Sequence, residues 1–451
     1  MNAEAELTKF VGTLGHIRRV AEQTAMSAPG DHQVQHGVGR AYSATSEHRK
    51  ALEHFGRAAA LQPANPAYLY DLGVAQQFVG DFDGARRSYQ RAAQLAPGFY
   101  RAVASLALLD RQTPQNNLVP ALERLVPGPD PDGMRLLHVG HALAKAYEDL
   151  GEPETSFQWL LKAKAGRKKV SRYSFPREQQ LFHAAAATWP AGHRPRPGHP
   201  SPEPIFVVGL PRTGTTLVDR ILSSHAQVIS AGELSHFAQA TARMTAPGAA
   251  QSIDLPVFQR AGDIDLGRLG KAYIDSTRPL TGSTPRFVDK APINFLFAGL
   301  IAQALPNARI ICLRRAPMDS VLSNFRQMFA TPQPYYNWVY DLADTARNYV
   351  LFDGLCRHWR EVLPPDRYTE VGYEDLIDHQ EAETRRLLDF CGLPWDERCL
   401  AFHENASAVA TPSSVQVRSP VYRSSIGRWR RYGALLGPAK KVLTEAGIAF
   451  E

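Results

Sequence analysis

Cysteine is scarce in this chain: Cys312, Cys356, Cys391 and Cys399 are the four in 451 residues, and none is spaced C-x-x-C. That argues against a thiolate zinc site, and Cys312 falls in an apolar run, so buried thiols are expected rather than disulfides. Long apolar runs are missing as well. No window approaches eighteen apolar residues, so no membrane span is expected. The first seven residues carry two glutamates and no apolar core of signal-peptide length. A soluble, cytoplasmic protein is the expectation. No zinc-finger spacing or other nucleic-acid motif accompanies the net charge of +7, so no nucleic-acid partner is expected. A mildly basic balance of this kind suits an anionic ligand.

What is present is concentrated in Ile205-Phe-Val-Val-Gly-Leu-Pro-Arg-Thr-Gly-Thr-Thr216. Four apolar residues lead into Gly209, Gly214 follows five positions on, and a helix-like run starts at Leu217. Strand, tight loop and helix start together make a cradle in which backbone N–H groups point at a phosphate. The spacing is that of the nucleotide P-loop, G-x-x-x-x-G-K-[ST], with one exception. Thr215 stands where the lysine should be, and the cation is Arg212 inside the loop. A loop without that lysine is a poor fit to a magnesium-dependent nucleoside triphosphatase.

A second cationic motif lies about a hundred residues on. The apolar strand Ile310 to Leu313 ends in Arg314-Arg315, Pro317 suits a first helical turn, and Ser323 comes eight residues after Arg315. A guanidinium can grip phosphate with two parallel hydrogen bonds, and a hydroxyl two turns on adds a neutral donor. Between the motifs, Glu233 follows Gly232 in Val228-Ile-Ser-Ala-Gly-Glu-Leu234. It reads either as a general base near an acceptor oxygen or as the third position of a capping box with Ser230. His225 and His236 compete with it as bases, although a surface histidine is the expected reading of each. Lys290, in Arg286-Phe-Val-Asp-Lys-Ala291, reads by itself as a solvated lysine at a turn. Asp289 beside it could instead be a metal-binding aspartate on a short strand. Further on, Tyr373 follows the strand candidate Tyr368–Val371. The polar loop Thr411 to Tyr422 then leads into Gly427-Arg-Trp-Arg-Arg431, where Arg428 and Arg430 are either ligands or solvated cations.

The chain divides into an all-α repeat region over 1–186, a proline-rich segment over 187–204 and an α/β region over 205–451. Gly39 and Gly73, Ala51 and Ala85, Phe55 and Tyr89, Ala58 and Ala92, and Pro63 and Pro97 are each 34 residues apart, the period of the tetratricopeptide repeat. A later unit over Leu143–Leu160 fits the same template, and 101–135 is degenerate and proline-rich. Such arrays usually bind a peptide or protein on the concave face. From Trp189 to Pro204, six of sixteen residues are proline, which makes a linker or an extended strap. After that, strand candidates Ile205–Val208, Ile310–Leu313 and Tyr368–Val371 alternate with helices expected at about 215–224, 317–328 and 380–391. The alternation indicates a parallel, P-loop-like sheet covered by helices, with ligands at the C-terminal strand ends.

The two phosphate motifs resemble those of sulfotransferases that use 3′-phosphoadenosine 5′-phosphosulfate (PAPS) and release 3′-phosphoadenosine 5′-phosphate (PAP). The repeat array in front is similar to bacterial tetratricopeptide-repeat sulfotransferases, and the α/β region to tyrosylprotein sulfotransferases. The resemblance covers 205 to about 435. It implies that Arg212, Thr213, Gly214, Thr215 and Thr216 hold the 5′-phosphate, and Arg315 and Ser323 the 3′-phosphate. Tyr373, Ser413 and Arg428 complete the cofactor contacts, with Ser414 nearly equivalent to Ser413. Glu233 is the implied base, with Arg212, Lys290 and Ser413 beside the transferring group and no metal. The chain departs at Gln327, where animal enzymes place a further arginine; Arg326 is the candidate substitute. Golgi members carry an N-terminal anchor, and none is expected here. The acceptor is a peptide, protein or small-molecule hydroxyl, held in part by the array, and homo-oligomers are compatible with the pattern. The rivals are a P-loop kinase and a repeat scaffold with a non-catalytic nucleotide-binding domain.

Overall fold

The computed structural model describes residues 16–450 except 18, 46, 127, 129, 195, 249–250, 330–333, 406 and 410–415. The front of the chain is all helix. The helices are α1 His32–Ala44, α2 His48–Leu61, α3 Pro66–Val79, α4 Phe82–Leu95, α5 Tyr100–Leu109, α6 Val119–Arg124, α7 Met134–Asp149, α8 Pro153–Val170 and α9 Phe175–Ala186. Local chemistry sets their ends. Asp31 accepts from the N–H groups of Gln33 and Val34, Asn65 from Ala67 and Tyr68, and Asp81 from Gly84, so orphan donors of the first turns are satisfied. Gly80, at φ 90°, closes α3. The 34-residue spacing has a steric cause. A Cβ on Gly39 would lie 2.8 Å from the Phe55 ring, and one on Gly73 would lie 2.6 Å from the Tyr89 ring. Each glycine lets an aromatic of the partner helix come against its own backbone.

The α/β region holds five parallel strands: β1 Pro204–Gly209, β2 Val228–Ser230, β3 Arg286–Asp289, β4 Arg309–Arg314 and β5 Tyr368–Gly372, in the order β2-β3-β1-β4-β5. Ile205 pairs with Arg309 and Gly209 with Leu313. Every residue of β1 is buried, as a strand covered on both faces requires. Alternation divides it cleanly: Phe206 and Val208 enter a large core, while Ile205 and Val207 enter a second core on the opposite face. The large core also takes Phe157, Leu160, Leu181 and Phe182 from α8 and α9. The helical array therefore shares its hydrophobic interior with the sheet.

The proline-rich segment lies along the α/β region: Trp189 is buried, the His199 N–H donates to the Ala304 carbonyl at 2.8 Å, and Arg196 donates to Gly262. Helices α10 Thr215–Ser223, α11 His236–Thr245, α12 Leu266–Thr281, α13 Pro317–Phe325, α14 Leu342–Val362 and α15 Gln380–Phe390 pack around the sheet. The helix expected to reach 328 stops at Phe325. Among the described residues, no helix is long and apolar enough to cross a membrane.

Candidate active site

The connections from β1 and β4 leave toward opposite sides of the sheet, so a crevice opens at their C-terminal ends. The loop between β1 and α10 fills its floor. Three positive φ angles shape it: Gly209 at 141°, Arg212 at 65° and Gly214 at 103°. Gly214 is required twice over, because a Cβ there would also lie 2.7 Å from the Tyr373 ring. Thr213 is fully buried and its hydroxyl donates to the Leu210 carbonyl at 2.7 Å. It braces the loop from inside. The N-cap of α10 is Gly214, so no side chain caps the helix, and Gly214 and Thr216 line the crevice, where the positive end of a helix favours an anion. The Arg212 side chain donates to Gln416 at 3.1 Å. Burial and the adjacent Arg315 push its guanidinium down to about 10, which leaves it charged at neutral pH.

Arg314 and Arg315 part at the end of β4. Arg314 turns away to pair with Asp353 on α14. Arg315 donates to the Arg212 carbonyl at 2.8 Å, to Ser323 Oγ at 3.1 Å and to the Ser425 carbonyl at 2.7 Å. Its Nε is buried with no partner among the described residues. Its guanidinium lies 4.8 Å from the centre of the Tyr373 ring. The Tyr373 hydroxyl bonds Ser425 Oγ at 2.7 Å. The pair named from its spacing and from the family resemblance, Arg315 and Ser323, is thus in direct contact.

A cleft of about 470 Å³ runs from this floor to the helical array. The α/β region lines it with Arg212, Gly214, Thr216, Arg315, Ser323, Tyr373, Arg326, Gln327 and Arg428, and the array with Gln77, His141, Lys145, Glu148 and Ser156. Asp319, in the first turn of α13, accepts from the N–H groups of Gly427 at 2.6 Å and Trp429 at 3.2 Å. That fixes Arg428 in the wall. Arg428 then donates to Glu148 Oε1 from Nε at 3.0 Å and Nη2 at 2.6 Å, Tyr432 donates to the same oxygen at 2.7 Å, and Arg326 pairs with Oε2. Burial, with Arg428 adding repulsion, pushes Arg326 down to about 10. Arg326 and Arg428 are therefore both engaged by a carboxylate that sequence reasoning did not single out. Glu148 was visible only as one more helical residue, because its partners lie 178 to 284 positions away. The array also contacts residues 409 and 418 of the α/β region: Val409 N–H donates to the Phe78 carbonyl at 2.8 Å, and Arg418 packs over Phe82.

Glu233 and Lys290 stand outside that cleft lining, as an ion pair with each other. Lys290 is 2% exposed and Glu233 48%, so the lysine is fixed and the glutamate faces solvent. The alternative readings fall on this geometry. Ser230 ends β2 and its Oγ accepts from the Gly232 N–H, whereas α11 begins at His236 after Ser235, so no capping box forms. Lys290 is not solvated. Asp289 is buried and accepts from Tyr273 Oη at 2.8 Å and the Leu234 N–H at 3.4 Å. Burial pushes its carboxyl up to about 7 against those bonds; it is turned inward rather than offered to a metal. His225, expected at the surface, is buried and bonded to the Pro394 carbonyl at 3.0 Å and the Gln227 N–H. His236 lies beside Ser276 Oγ at 3.2 Å. Asp219, on α10, is an addition: burial raises its carboxyl, and Lys290 pulls the other way. Tyr335 and Tyr336 lie close enough to Glu233 for its charge to add to the effect of burial; Tyr335 is pushed up to about 12. Phe329 stacks on Tyr336 at 4.4 Å. Ser413 and Ser414 lie outside the described residues.

A parallel sheet with a lysine-free glycine loop, a paired arginine and serine after β4, and a half-exposed glutamate on a buried lysine make up the candidate site. Residues 204–397, most of the α/β region, match the model of the Sulfotransferase family. The chain is 30% identical over 414 residues to an uncharacterized protein of Aquifex aeolicus (strain VF5), covering 88% of this chain and 53% of that one. It is 24% identical over 240 residues to protein-tyrosine sulfotransferase A of Caenorhabditis elegans, covering 50% of this chain and 60% of that one. With the protein-tyrosine sulfotransferase of Drosophila melanogaster, identity is 22% over 238 residues, 50% of this chain and 46% of the other. The chain spans about half the length of these relatives.

Proposed function

We propose that the chain transfers the sulfuryl group of PAPS to an acceptor hydroxyl. The observation that carries this is the convergence of Arg212, Arg315 and Ser323 with the uncapped N-terminus of α10 on one cleft. Guanidiniums this close repel one another unless an anion lies among them. The unpartnered Nε of Arg315 and the positive N-terminal end of α10 fit phosphate oxygens, so the residues present suit the cofactor. When bound, PAPS supplies a sulfuryl group on a phosphate leaving group.

The residues then divide the work. The N–H groups of the loop, with Thr215 and Thr216, hold the 5′-phosphate. Arg315 and Ser323 hold the 3′-phosphate, Arg428 adds charge and Tyr373 packs against the nucleotide. Lys290 and Arg212 offset the negative charge that grows on the leaving oxygen. Glu233 takes the proton of the acceptor hydroxyl. It is half exposed, so it can exchange Lys290 for the hydroxyl without a change in the backbone. The aromatic side chains Phe329, Tyr335 and Tyr336 beside it suit a flat phenolic acceptor. A peptide tyrosine is the acceptor class with most support, since two of the relatives carry that name and the helical array offers a surface for a peptide. No metal is required, because fixed donors surround the leaving group.

The test is transfer of labelled sulfur from PAPS to a tyrosine-containing peptide by the full chain, with and without excess chelator. Labelled peptide in both arms is expected. Transfer of phosphate from magnesium-ATP, with no sulfur label, would replace this reading with a kinase.

A further inference from the structure

The cleft has a wall that the α/β region does not supply. The Glu148 side chain, from α7 of the helical array, is 9% exposed, and it accepts from Arg428, Tyr432 and Arg326 at once. Both arginines line the cleft, as does Glu148 itself. On the same side, His141 Nε2 and Ser156 Oγ are buried with no hydrogen-bond partner among the described residues, which is the state of a polar wall awaiting a polar ligand. An arginine side chain is long and flexible, and its five N–H donors are useful only when the fork is aimed. Arg428 places its Nε and Nη2 on Glu148, leaving Nη1 uncommitted to it.

We propose that Glu148 is a positioning residue for cofactor selectivity: it reaches from the helical array to aim Arg326 and Arg428 at the 3′-phosphate of the nucleotide. The array is then part of the cofactor site in addition to any surface it offers the acceptor. This rests on the PAPS reading above. It also accounts for Gln327, because the cation that this position lacks is supplied by two neighbours held from the other domain. Charge alone argues the opposite way. A carboxylate among arginines weakens the pull on an anion, so a Glu148 that merely competed with phosphate would bind it worse than its absence.

Calorimetric titration of the full chain with PAP and with adenosine 5′-phosphate separates these. The quantity is the ratio of the two affinities, for wild type, Glu148→Gln, Tyr432→Phe and Arg177→Met. The last breaks the ion pair of Arg177 with Asp254, an inter-domain contact remote from the cleft lining. We expect Glu148→Gln to lower the ratio about ten-fold, through PAP alone. Tyr432→Phe, which removes one neutral donor, should lower it about three-fold, and Arg177→Met should leave it unchanged. If Glu148→Gln is unstable, Tyr432→Phe decides. Tighter PAP binding in Glu148→Gln, an unchanged ratio in both cleft variants, or an equal fall in Arg177→Met overturns the proposal while leaving the PAPS reading intact. A wild-type ratio near one overturns both.

Discussion

The two ends of the site are built on different plans. At the proposed transfer end, Glu233 and Lys290 come from the loops after β2 and β3 of one domain and meet as a pair, with the lysine buried and the glutamate half exposed. At the phosphate end, the floor is one contiguous loop, but the wall is shared between α13, the turn after Gly427 and α7 of the array. One end can be rearranged by a side-chain rotation. The other changes only if two domains move together, because α8 and α9 share a core with β1. The difference suggests that chemistry and selectivity are separable by mutation.

The largest effect should come at the transfer end. Glu233→Gln keeps the size of the side chain and removes the proton acceptor, so turnover should fall about 10²–10⁴-fold with nucleotide affinity nearly unchanged. Steady-state rates beside calorimetry check this. A parallel loss of affinity would show that the two ends are not separable. At the phosphate end the pattern should invert. Arg315→Ala removes charge-assisted bonds worth about 1.5–3 kcal/mol, so PAP should bind about ten-fold or more weakly. Because Arg315 also ties the loop to Ser425, the melting temperature is read alongside.

A smaller effect tests the shared wall as a structural unit. Lys164 of α8 is buried, donates to the Gln327 carbonyl at 3.2 Å and is pushed by burial from 10.5 down to about 7. Between pH 7 and about 10 the unfolded chain holds a proton that the folded chain has lost, so stability rises with pH, by at most about 1.4 kcal/mol per unit. Lys164→Met should flatten that rise in urea unfolding curves. An unchanged slope would mean that Lys164 is hydrated and the domain contact loose. The smallest effect should be none: excess chelator should leave turnover within error, since Asp289 is committed to Tyr273 and Leu234. Loss restored by magnesium would reopen the kinase reading.

Legibility in the sequence followed chain separation. β1 and β4 show as apolar runs because they are buried on both faces, β5 shows only as a short aromatic and β-branched stretch on a half-buried edge strand, and the glycine loop shows because its glycines and threonines are close together in the chain. β2 has three residues and β3 four, too few for a period; their neighbours in the sheet hold them. Arg315 and Ser323 were readable because two helical turns join them. Glu148 was not, since nothing local distinguishes it from other glutamates of the array. His225 was misread for the same reason: its burial depends on Pro394, which is remote in the chain.

The central claim is that the cleft is built for a nucleotide carrying a 3′-phosphate. Calorimetry of the wild-type chain against PAP, adenosine 5′-phosphate and magnesium-ATP tests it most directly. The account predicts that PAP binds about ten-fold or more tightly than either of the others, and equally well with or without magnesium. Equal binding of PAP and adenosine 5′-phosphate, or tighter binding of magnesium-ATP, would contradict it.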